Sequence, residues 1–434
     1  MLEQISFVII LLIAGYFLFR RIGFIRRNIL LGKEKEIKDQ PARRMRNLLL
    51  IAFGQKKMFK RPIPAILHLF LYVGFLVINI EVLEFVVDGL LGTHRAFSPY
   101  LGSFYSVLMN IFEFLAVAVL LSCIFFLIRR NILKIRRFWA YEMTAWPRLD
   151  ANIILVTEII LMVAILTMNA SDQILQNMNA EYPQTGRLFF SSMLVPVFDS
   201  LSEPGLILLE RVAWWLHIIG ILGFAVYITY SKHLHIFMAF PNTWFARLEP
   251  KGQINNMPVV TGEVRMMLGL AEATTAPPEP GKFGAKDVND LTWNMLMGAY
   301  TCTECGRCTA ECPANQTGKK LSPRKIMMDT RDRMEAVGNS LLKGGPGLND
   351  GKTLLNDYIS KEEINACTSC HACVEACPVL INPLEIIIEL RRYVTMEESG
   401  APPAWNNMYQ NIETNFAPWK FSPSDRFNWA QENK

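Results

Sequence analysis

The chain has 434 residues, of which 51% are hydrophobic and only 19% are charged, below the roughly 25% charged content of soluble proteins. That balance argues against a wholly soluble chain, and the length allows two or three domains. The formal net charge of +5 is informative mainly through its uneven distribution along the sequence.

Apolar stretches long enough to cross a bilayer occur five times. They lie at about residues 5–25, 63–87, 104–128, 151–169 and 206–235. The loop over residues 20–61 holds 14 Lys/Arg against three acids, whereas residues 171–204 hold one Arg against four acids. Because positively charged loops stay in the cytoplasm, the sequence predicts a multi-pass protein of the cytoplasmic (inner) membrane. Its N-terminus would lie outside, and everything after the fifth span would lie in the cytoplasm.

Histidines within these spans are candidate haem ligands. A histidine inside a membrane is costly and is therefore a functional candidate, and imidazoles on facing helices are how a bundle holds a haem. His68 lies near the inner end of span two, and His235 lies at the inner end of span five. We expect these two to hold an inner haem b, with His233 as an alternative ligand.

A second, outer haem is the expectation for His217 in span five. His217 and His235 are 18 residues apart, so a continuous helix of about 3.6 residues per turn places them on one face, about 27 Å apart. Its only candidate partner at that depth is His94, in the loop after span two. The alternative for His68, His217 and His235 is that they form hydrogen bonds within the bundle, and the alternative for His94 is that it is a surface histidine.

Two buried acids in span two are candidates for proton handling. Glu81 and Glu84 are expensive in lipid, and a quinone takes up two protons with two electrons, so a carboxyl group near its site is useful. The alternative is a structural role in hydrogen bonds between helices.

The run C-x-x-C-x-x-C-x-x-x-C-P occurs twice in the C-terminal third and uses eight of the nine cysteines. It is the bacterial signature of 4Fe–4S clusters, in which the fourth cysteine ligates the other cluster of a pair. We therefore predict two clusters, whose ligands are listed here by cluster: Cys302, Cys305, Cys308 and Cys377 for the first, and Cys367, Cys370, Cys373 and Cys312 for the second. Disulfides are rare in the cytoplasm, and a structural zinc site normally uses two separated C-x-x-C pairs.

These observations predict an all-α protein, with a five-helix transmembrane haem b bundle and a cytoplasmic α-helical ferredoxin-like domain. The predicted parts are a membrane domain over residues 1–240, a linker over 241–288, a two-cluster domain over 289–395, and an aromatic tail over 396–434 that docks on a partner or is disordered. No Walker A motif, no dinucleotide-binding glycine pattern and no hydrolytic triad are present.

The segments TCTECGRCTAECPAN and ACTSCHACVEACPVLINPLEIIIELRR resemble the two-cluster subunits of heterodisulfide reductase and of anaerobic glycerol-3-phosphate dehydrogenase. The five spans with His68 and the His217/His235 pair resemble the haem b (gamma) subunit of respiratory nitrate reductase and the membrane subunit of heterodisulfide reductase. In the nitrate reductase family span two carries two haem ligands, and this chain has only His68 there. Related fused proteins continue into a domain with C-C-G repeats, so the resemblance implies that a separate subunit carries that domain.

The resulting hypothesis is a respiratory-chain subunit that passes electrons between a cytoplasmic partner and menaquinone through two 4Fe–4S clusters and haem b. The partner would be a C-C-G-type iron–sulfur subunit or an electron-transferring flavoprotein. Substrate chemistry would belong to that partner, so no catalytic residue is assigned here. The alternatives are a subunit of a quinol-driven disulfide reductase, a haem-less assembly or scaffold subunit, and a redox sensor.

Overall fold

The computed structural model describes residues 1–179, 181–270, 282–345 and 350–431. Helices and turns account for these ranges, and their only β-structure consists of isolated bridges, Lys33 with Thr292 and Leu355 with Ile359. The all-α fold class is therefore confirmed. Of the predicted linker, residues 271–281 lie outside the described ranges, as do residues 432–434 of the predicted tail.

Five helices are long and apolar enough to cross a membrane. Their bounds are α1 Leu2–Ile29, α3 Pro62–Leu91, α5 Ser103–Leu127, α6 Ala145–Leu175 and α8 Glu203–Ile228. Each packs on the next in chain order, and α8 closes the bundle by packing on α1. The chain is thus a membrane protein with the predicted number of spans. The helices of spans one, two and four run beyond the predicted limits because residues at their ends, some of them charged or polar, continue the helix past the apolar core, whereas span three matches its predicted limits to within one residue.

The expectation that span five runs as one helix to residue 235 is wrong. Helix α8 ends at Ile228, a single 3₁₀ turn covers Lys232–Leu234, and a new helix α9 begins at His235 and runs to Trp244. His217 and His235 therefore do not share one helix, and the helical period does not fix their relative direction. The break lets the chain leave the bundle and pack α9 against the C-terminal part.

Short elements cover the two ends of the bundle. They are α2 Pro41–Asn47, a π-helix Leu48–Phe53, 3₁₀ turns Met58–Lys60, Arg136–Phe138 and Ser191–Met193, α4 Ser98–Leu101, a π-helical turn Ile128–Ile132 and α7 Val195–Phe198. The segment between α2 and α3 carries many basic residues and faces the C-terminal part of the chain.

The C-terminal part is a set of helices around the two cysteine motifs. The bounds are α10 Pro258–Met267 within the predicted linker, then α11 Trp293–Thr301, α12 Arg307–Ala310, α13 Pro313–Gln316, α14 Pro323–Gly344, α15 Lys361–Asn365, α16 Ala372–Ala376 and α17 Pro383–Met396. A 3₁₀ turn covers Val288–Asp290, and an irregular π-type turn covers Leu354–Tyr358. Helix α12 packs on α16, which joins the two cysteine motifs.

The predicted docking tail contains a helix, α18 Pro403–Asn415, followed by a 3₁₀ turn Pro423–Phe427 and α19 Asn428–Gln431. None of the residues in these three elements is buried.

Buried polar contacts join the bundle to the cluster domain. Arg21 of α1 pairs with Glu335 of α14 through two hydrogen bonds of 2.8 and 3.0 Å. Arg324 at the start of α14 donates to Glu142, with Nη2 2.6 Å from Oε1, and both side chains are almost fully buried. A buried charge needs such a partner because desolvation is expensive, so these pairs determine how the two parts dock.

Candidate functional site

Four thiols lie around one small cavity where the two cysteine motifs meet. The cavity is lined by Cys302, Cys305 and Cys308 of the first motif and by Cys377 of the second. The contact between α12 and α16 brings Cys377 to this position. These are the four thiols that the spacing rule predicts for the first cluster.

The remaining four motif thiols influence one another's pKa, which indicates that they also lie close together. Burial, together with the neighbouring Cys367 and Cys312, raises the pKa of Cys373 to about 12. Burial also raises the pKa of Cys312, with contributions from Cys367 and Cys370. These effects arise only between thiols that are close together. Burial and neighbouring thiols disfavour the thiolate, whereas coordination to a metal favours it, because a coordinated thiol is deprotonated.

Within the described ranges, no three His, Cys, Asp or Glu side chains converge as the ligands of a single metal ion do. A 4Fe–4S cluster is held by four thiolates on separate irons, so its ligands need not converge on one point. The lack of a single-ion site among the described residues is therefore compatible with cluster ligands.

Both motifs have the same unusual backbone at equivalent positions. Glu304 and Ser369, each two residues after the first cysteine, have φ of +55°. Gly306 and His371, each just after the second cysteine, have φ of +69° and +60°. The left-handed region is costly for residues other than glycine. A Cβ at Gly306 would also lie 2.5 Å from Nη1 of Arg324, so only glycine fits there.

This backbone turns amide groups toward the sulfurs. The N–H of Ser369 donates to Sγ of Cys367 at 3.4 Å, and the N–H of Ile381 donates to Sγ of Cys377 at 3.2 Å. Hydrogen bonds to cluster sulfurs stabilise negative charge and tune the reduction potential.

Ion pairs join the basic segment before α3 to both motifs. Hydrogen bonds from Lys251 and Lys60 hold the pKa of Glu375, two residues before Cys377, at about 2. Lys60 lies 2.5 Å from Glu375, and Arg61 lies 3.1 Å from Glu311, one residue before Cys312. The inner end of the bundle therefore lies directly against the cysteine motifs.

His68 of α3 and His235 of α9 face each other, with ring centroids 6.3 Å apart and ring planes at 44°. Nδ1 of His68 lies 3.1 Å from Oε1 of Gln55, and Nδ1 of His235 lies 3.2 Å from the carbonyl oxygen of Lys232. An oxygen acceptor at Nδ1 places the proton there and leaves the Nε2 lone pair free for a metal, the usual arrangement of ligand histidines.

The spacing of this pair fits a shared iron. Two imidazole nitrogens bound at about 2 Å to one metal lie about 4 Å apart, and adding the short distance from each nitrogen to its ring centre gives about 6 Å between the centres. The observed distance of 6.3 Å between the centres of His68 and His235 is therefore compatible with both imidazoles binding one iron.

The other two histidines of the predicted set lie in different settings, His233 beside His235 and His217 at the level of Phe85 in the bundle. The ring of His233 is 5.4 Å from that of His235 and 5.7 Å from Phe224. His217 is buried in the bundle, and its Nδ1 lies 2.9 Å from the carbonyl oxygen of Leu161. The Nε2 of His217 is buried without a hydrogen-bond partner. An unpaired buried nitrogen is costly, which makes His217 a candidate ligand for an added group.

The candidate outer partner, His94, is engaged elsewhere. One ring nitrogen lies 2.9 Å from Asp172 and the other lies 3.1 Å from Arg211. Since both nitrogens have partners, His94 offers no free ligand to a metal in this arrangement. The predicted outer haem, with His217 and His94 as its two ligands, therefore has no second histidine ligand in this arrangement.

The two acids of span two differ sharply. Glu84 accepts hydrogen bonds from the N–H of Phe97 at 2.9 Å and the hydroxyl of Tyr105 at 2.7 Å, which is a structural role. Glu81 is 2% exposed and forms a buried ion pair with Arg95 at 3.5 Å, although neither of its oxygens accepts a hydrogen bond. Of the two, Glu81 is the one whose oxygens have no hydrogen bond, so the predicted proton-handling role concerns Glu81 rather than Glu84.

Sequence reasoning missed the residues that hold the two facing histidines. Gln55 lies in a basic and apolar segment with no motif around it, and only the fold brings it to His68. Lys232 has a weak signal, since it precedes the pair His233 and His235.

Comparison with known proteins gives a consistent picture. Residues 301–381 match the family model described as a 4Fe–4S dicluster domain. The chain is 26% identical to a probable iron–sulfur-binding oxidoreductase, FadF, of Bacillus subtilis, over 96% of this chain and 58% of that protein. It is 27% identical to the EtfAB:quinone oxidoreductase of Syntrophomonas wolfei, over 99% of this chain and 60% of that protein.

The cysteine-rich part has a further relative. Over 33% of this chain and 36% of the relative, it is 29% identical to one of the subunits of the dihydromethanophenazine:CoB–CoM heterodisulfide reductase of Methanosarcina mazei. No solved structure matches the chain. The predicted resemblance to heterodisulfide reductase subunits is confirmed, and so are two 4Fe–4S clusters as cofactors of an iron–sulfur membrane protein.

The chain spans about 60% of the length of the first two relatives, 58% and 60% respectively. The haem, the quinone and the individual ligands are not addressed by these matches and stay predictions.

Proposed function

We propose that this chain is a membrane-bound electron-transfer protein that links a cytoplasmic flavoprotein to the menaquinone pool. The observation that carries the proposal is the close juxtaposition of three ligand sets in one body: the two groups of four thiols and the His68/His235 pair. Similarity to an EtfAB:quinone oxidoreductase over 99% of the chain makes electron-transferring flavoprotein the leading candidate donor.

Exposure gives these ligand sets an order. Each set has two buried thiols, but Cys370 of the second set is exposed, whereas Lys232, which holds His235, pairs with Glu304 of the first motif. Clusters and haem supply one-electron carriers at these sites when bound. The exposed side at Cys370 is the natural approach for a partner protein, and the first set lies next to the residue that holds His235.

We assign the cluster ligands from the way the thiols are grouped in space. We assign Cys302, Cys305, Cys308 and Cys377 to one cluster and the other four motif cysteines to the second. We assign His68 and His235 to haem b, with His233 as an alternative ligand. If His217 binds a second haem, the other ligand of that haem is not His94.

The membrane orientation is part of the proposal. The basic loops lie at the end of the bundle that contacts the cluster domain, and positive loops stay inside. We therefore assign the clusters to the cytoplasm and the N-terminus to the outside. Glu81, buried and without a hydrogen bond, is the proposed proton donor to quinone on the opposite side of the bundle from the clusters.

An anaerobic reconstitution tests this function. The full chain in lipid vesicles that contain menaquinone is mixed with reduced electron-transferring flavoprotein, and flavoprotein oxidation is followed together with haem absorption. We expect chain-dependent quinone reduction, lost in Cys370→Ser and retained in the matched Cys123→Ser, which changes the one cysteine outside the motifs. No oxidation of the flavoprotein, with both clusters intact, would contradict the proposed donor. Absence of haem would favour the scaffold alternative.

A further inference from the structure

One of the two facing histidines, His235, is held by Lys232, whose ammonium also pairs with Glu304 of the first cysteine motif, and the other, His68, is held by Gln55, two residues before Lys57, whose carbonyl accepts from Arg307 of that motif. We propose that Gln55 and Lys232 are positioning residues of electron transfer, which couple the histidine pair to the first cluster through two separate chains of bonds. The inference rests on the proposed function, because it assumes that His68 and His235 bind haem.

The first chain of bonds runs through Gln55. Its Oε1 accepts a hydrogen bond from Nδ1 of His68 at 3.1 Å, and the residue is only 5% exposed. Two residues further along, the carbonyl oxygen of Lys57 accepts a hydrogen bond from Nη1 of Arg307 at 3.3 Å. Arg307 lies between Cys305 and Cys308 in sequence and lines the same cavity as their thiols. Covalent bonds and two hydrogen bonds therefore link a cluster ligand to a haem ligand.

The backbone of Gln55 supports a specific role. Its φ is +48°, in the left-handed region that side chains other than glycine avoid. Such conformations are costly and persist where the surrounding structure imposes them, often at functional sites. Here the costly conformation occurs at the residue whose side chain reaches His68.

The second chain of bonds runs through Lys232. Its carbonyl oxygen accepts from Nδ1 of His235 at 3.2 Å, and its ammonium lies 2.5 Å from Oε2 of Glu304. Glu304 is 3% exposed and lies between Cys302 and Cys305 in sequence. Its other oxygen pairs with Arg331 at 2.9 Å. The backbone N–H of Lys232 also donates to Asp150 at 3.2 Å, which fixes the turn that presents His235.

This geometry has two physical consequences. A stronger acceptor at Nδ1 makes an imidazole a more basic ligand, which stabilises oxidised iron and lowers its potential. Electron tunnelling is also faster through bonded atoms than across gaps. The residue that holds each histidine can therefore influence both the haem potential and the rate at which electrons arrive from the cluster.

Gln55 offers the cleaner test because Lys232 is part of a buried ion pair. Gln55→Glu keeps an oxygen acceptor and adds charge to it, whereas Gln55→Leu removes the acceptor at similar size. Gln40→Leu is the matched control: Gln40 lies in the same loop with the same φ of +48°, but it is exposed and its Oε1 accepts from Arg43.

The measurements are a spectroscopic redox titration of haem in the full membrane protein and the rate of haem reduction after rapid mixing with dithionite. At a fixed potential, we expect the ratio of reduced to oxidised haem to be at least threefold lower in Gln55→Glu and at least threefold higher in Gln55→Leu than in the unmodified protein. We also expect about tenfold slower haem reduction in Gln55→Leu. Gln40→Leu should match the unmodified protein in both.

The outcomes separate this inference from the proposed function. If the unmodified protein contains no haem, the proposed function fails. If both Gln55 variants keep haem with the unmodified potential and rate, the positioning role is overturned while the function stands. Equal loss of haem in both variants would also overturn it, because the acceptor retained by Glu would then have no effect. Loss of haem in Gln55→Leu, with haem retained in Gln55→Glu, supports the positioning role of Gln55.

Discussion

The imidazole rings of His68 and His235 face each other at 6.3 Å although one lies on a membrane-spanning helix and the other begins a helix that packs on the cluster domain. Each presents Nδ1 to an oxygen, which places the proton there and leaves the Nε2 lone pair as the one that could bind a metal. The pair therefore lies at the junction of the two parts of the molecule, and a haem there would be adjacent to both.

Substitution of His68 tests the inner haem directly. We expect His68→Ala to abolish this haem because one axial ligand and its Gln55 contact are lost together. Both clusters should remain, since no cysteine contact depends on His68. Haem content by absorption and cluster content by EPR provide the measurement. The comparison variant is His94→Ala, whose ring contacts Asp172 and Arg211 rather than a free coordination position. Retention of all haem in His68→Ala would refute the ligand assignment.

Cross-ligation between the motifs is testable at the fourth cysteine of the first run. In Cys312→Ser we expect the EPR signal of the second cluster to change, because Cys312 lies with Cys367 and Cys370 rather than at the cavity of the first motif. The matched control is Cys123→Ser, a buried cysteine in α5. If only the first cluster changes, each motif binds its own cluster.

Much of this architecture follows from the sequence for clear physical reasons. Span number follows from apolar length, and the side on which the clusters are expected to lie follows from the loop charges. The doubled cysteine run predicts the two-cluster domain because ligand spacing is fixed by the cluster. These signals are local, and local patterns survive in a single sequence.

The parts that sequence reasoning missed depend on tertiary contacts. The helix break between Ile228 and His235 falls at a short polar segment that includes Thr229, Ser231 and Lys232, and such a segment at the inner end of a span also suits a helix that continues into the membrane surface. The role of Gln55 at His68 depends on a left-handed turn that no neighbouring residue signals. The difference between Glu81 and Glu84 depends on which loop amide approaches each carboxylate, since both residues look alike in the sequence.

Docking of the cluster domain onto the bundle depends on a buried pair. Glu142→Ala leaves Arg324 buried without its carboxylate partner, and breaking such a pair costs about 3–5 kcal/mol. We expect a lower Tm of the purified protein in detergent and faster proteolysis around α14. The matched control is Glu362→Ala, whose pair with Lys320 is exposed on both sides, at 63% and 67%, and is screened by solvent. Equal effects of the two variants would contradict the structural role of the Arg324 pair.

Proton delivery to quinone is predicted to depend on Glu81. Glu81→Gln removes the exchangeable proton but keeps the size, so quinone reduction should fall about 10²-fold, as for loss of a general acid. The haem spectrum should be unchanged. The paired variant is Glu84→Gln, whose carboxylate is engaged by Phe97 and Tyr105 and should affect stability more than rate. Full quinone reduction by Glu81→Gln would exclude it as the proton donor.

The central claim is that clusters and haem b occur together in this one chain. The most direct measurement is a reduced-minus-oxidised absorption spectrum, with EPR, of the purified full-length protein. We predict the α-band of a b-type haem together with signals from two interacting 4Fe–4S clusters, and loss of the α-band alone in His68→Ala. Two cluster signals with no α-band in the unmodified protein would contradict this claim.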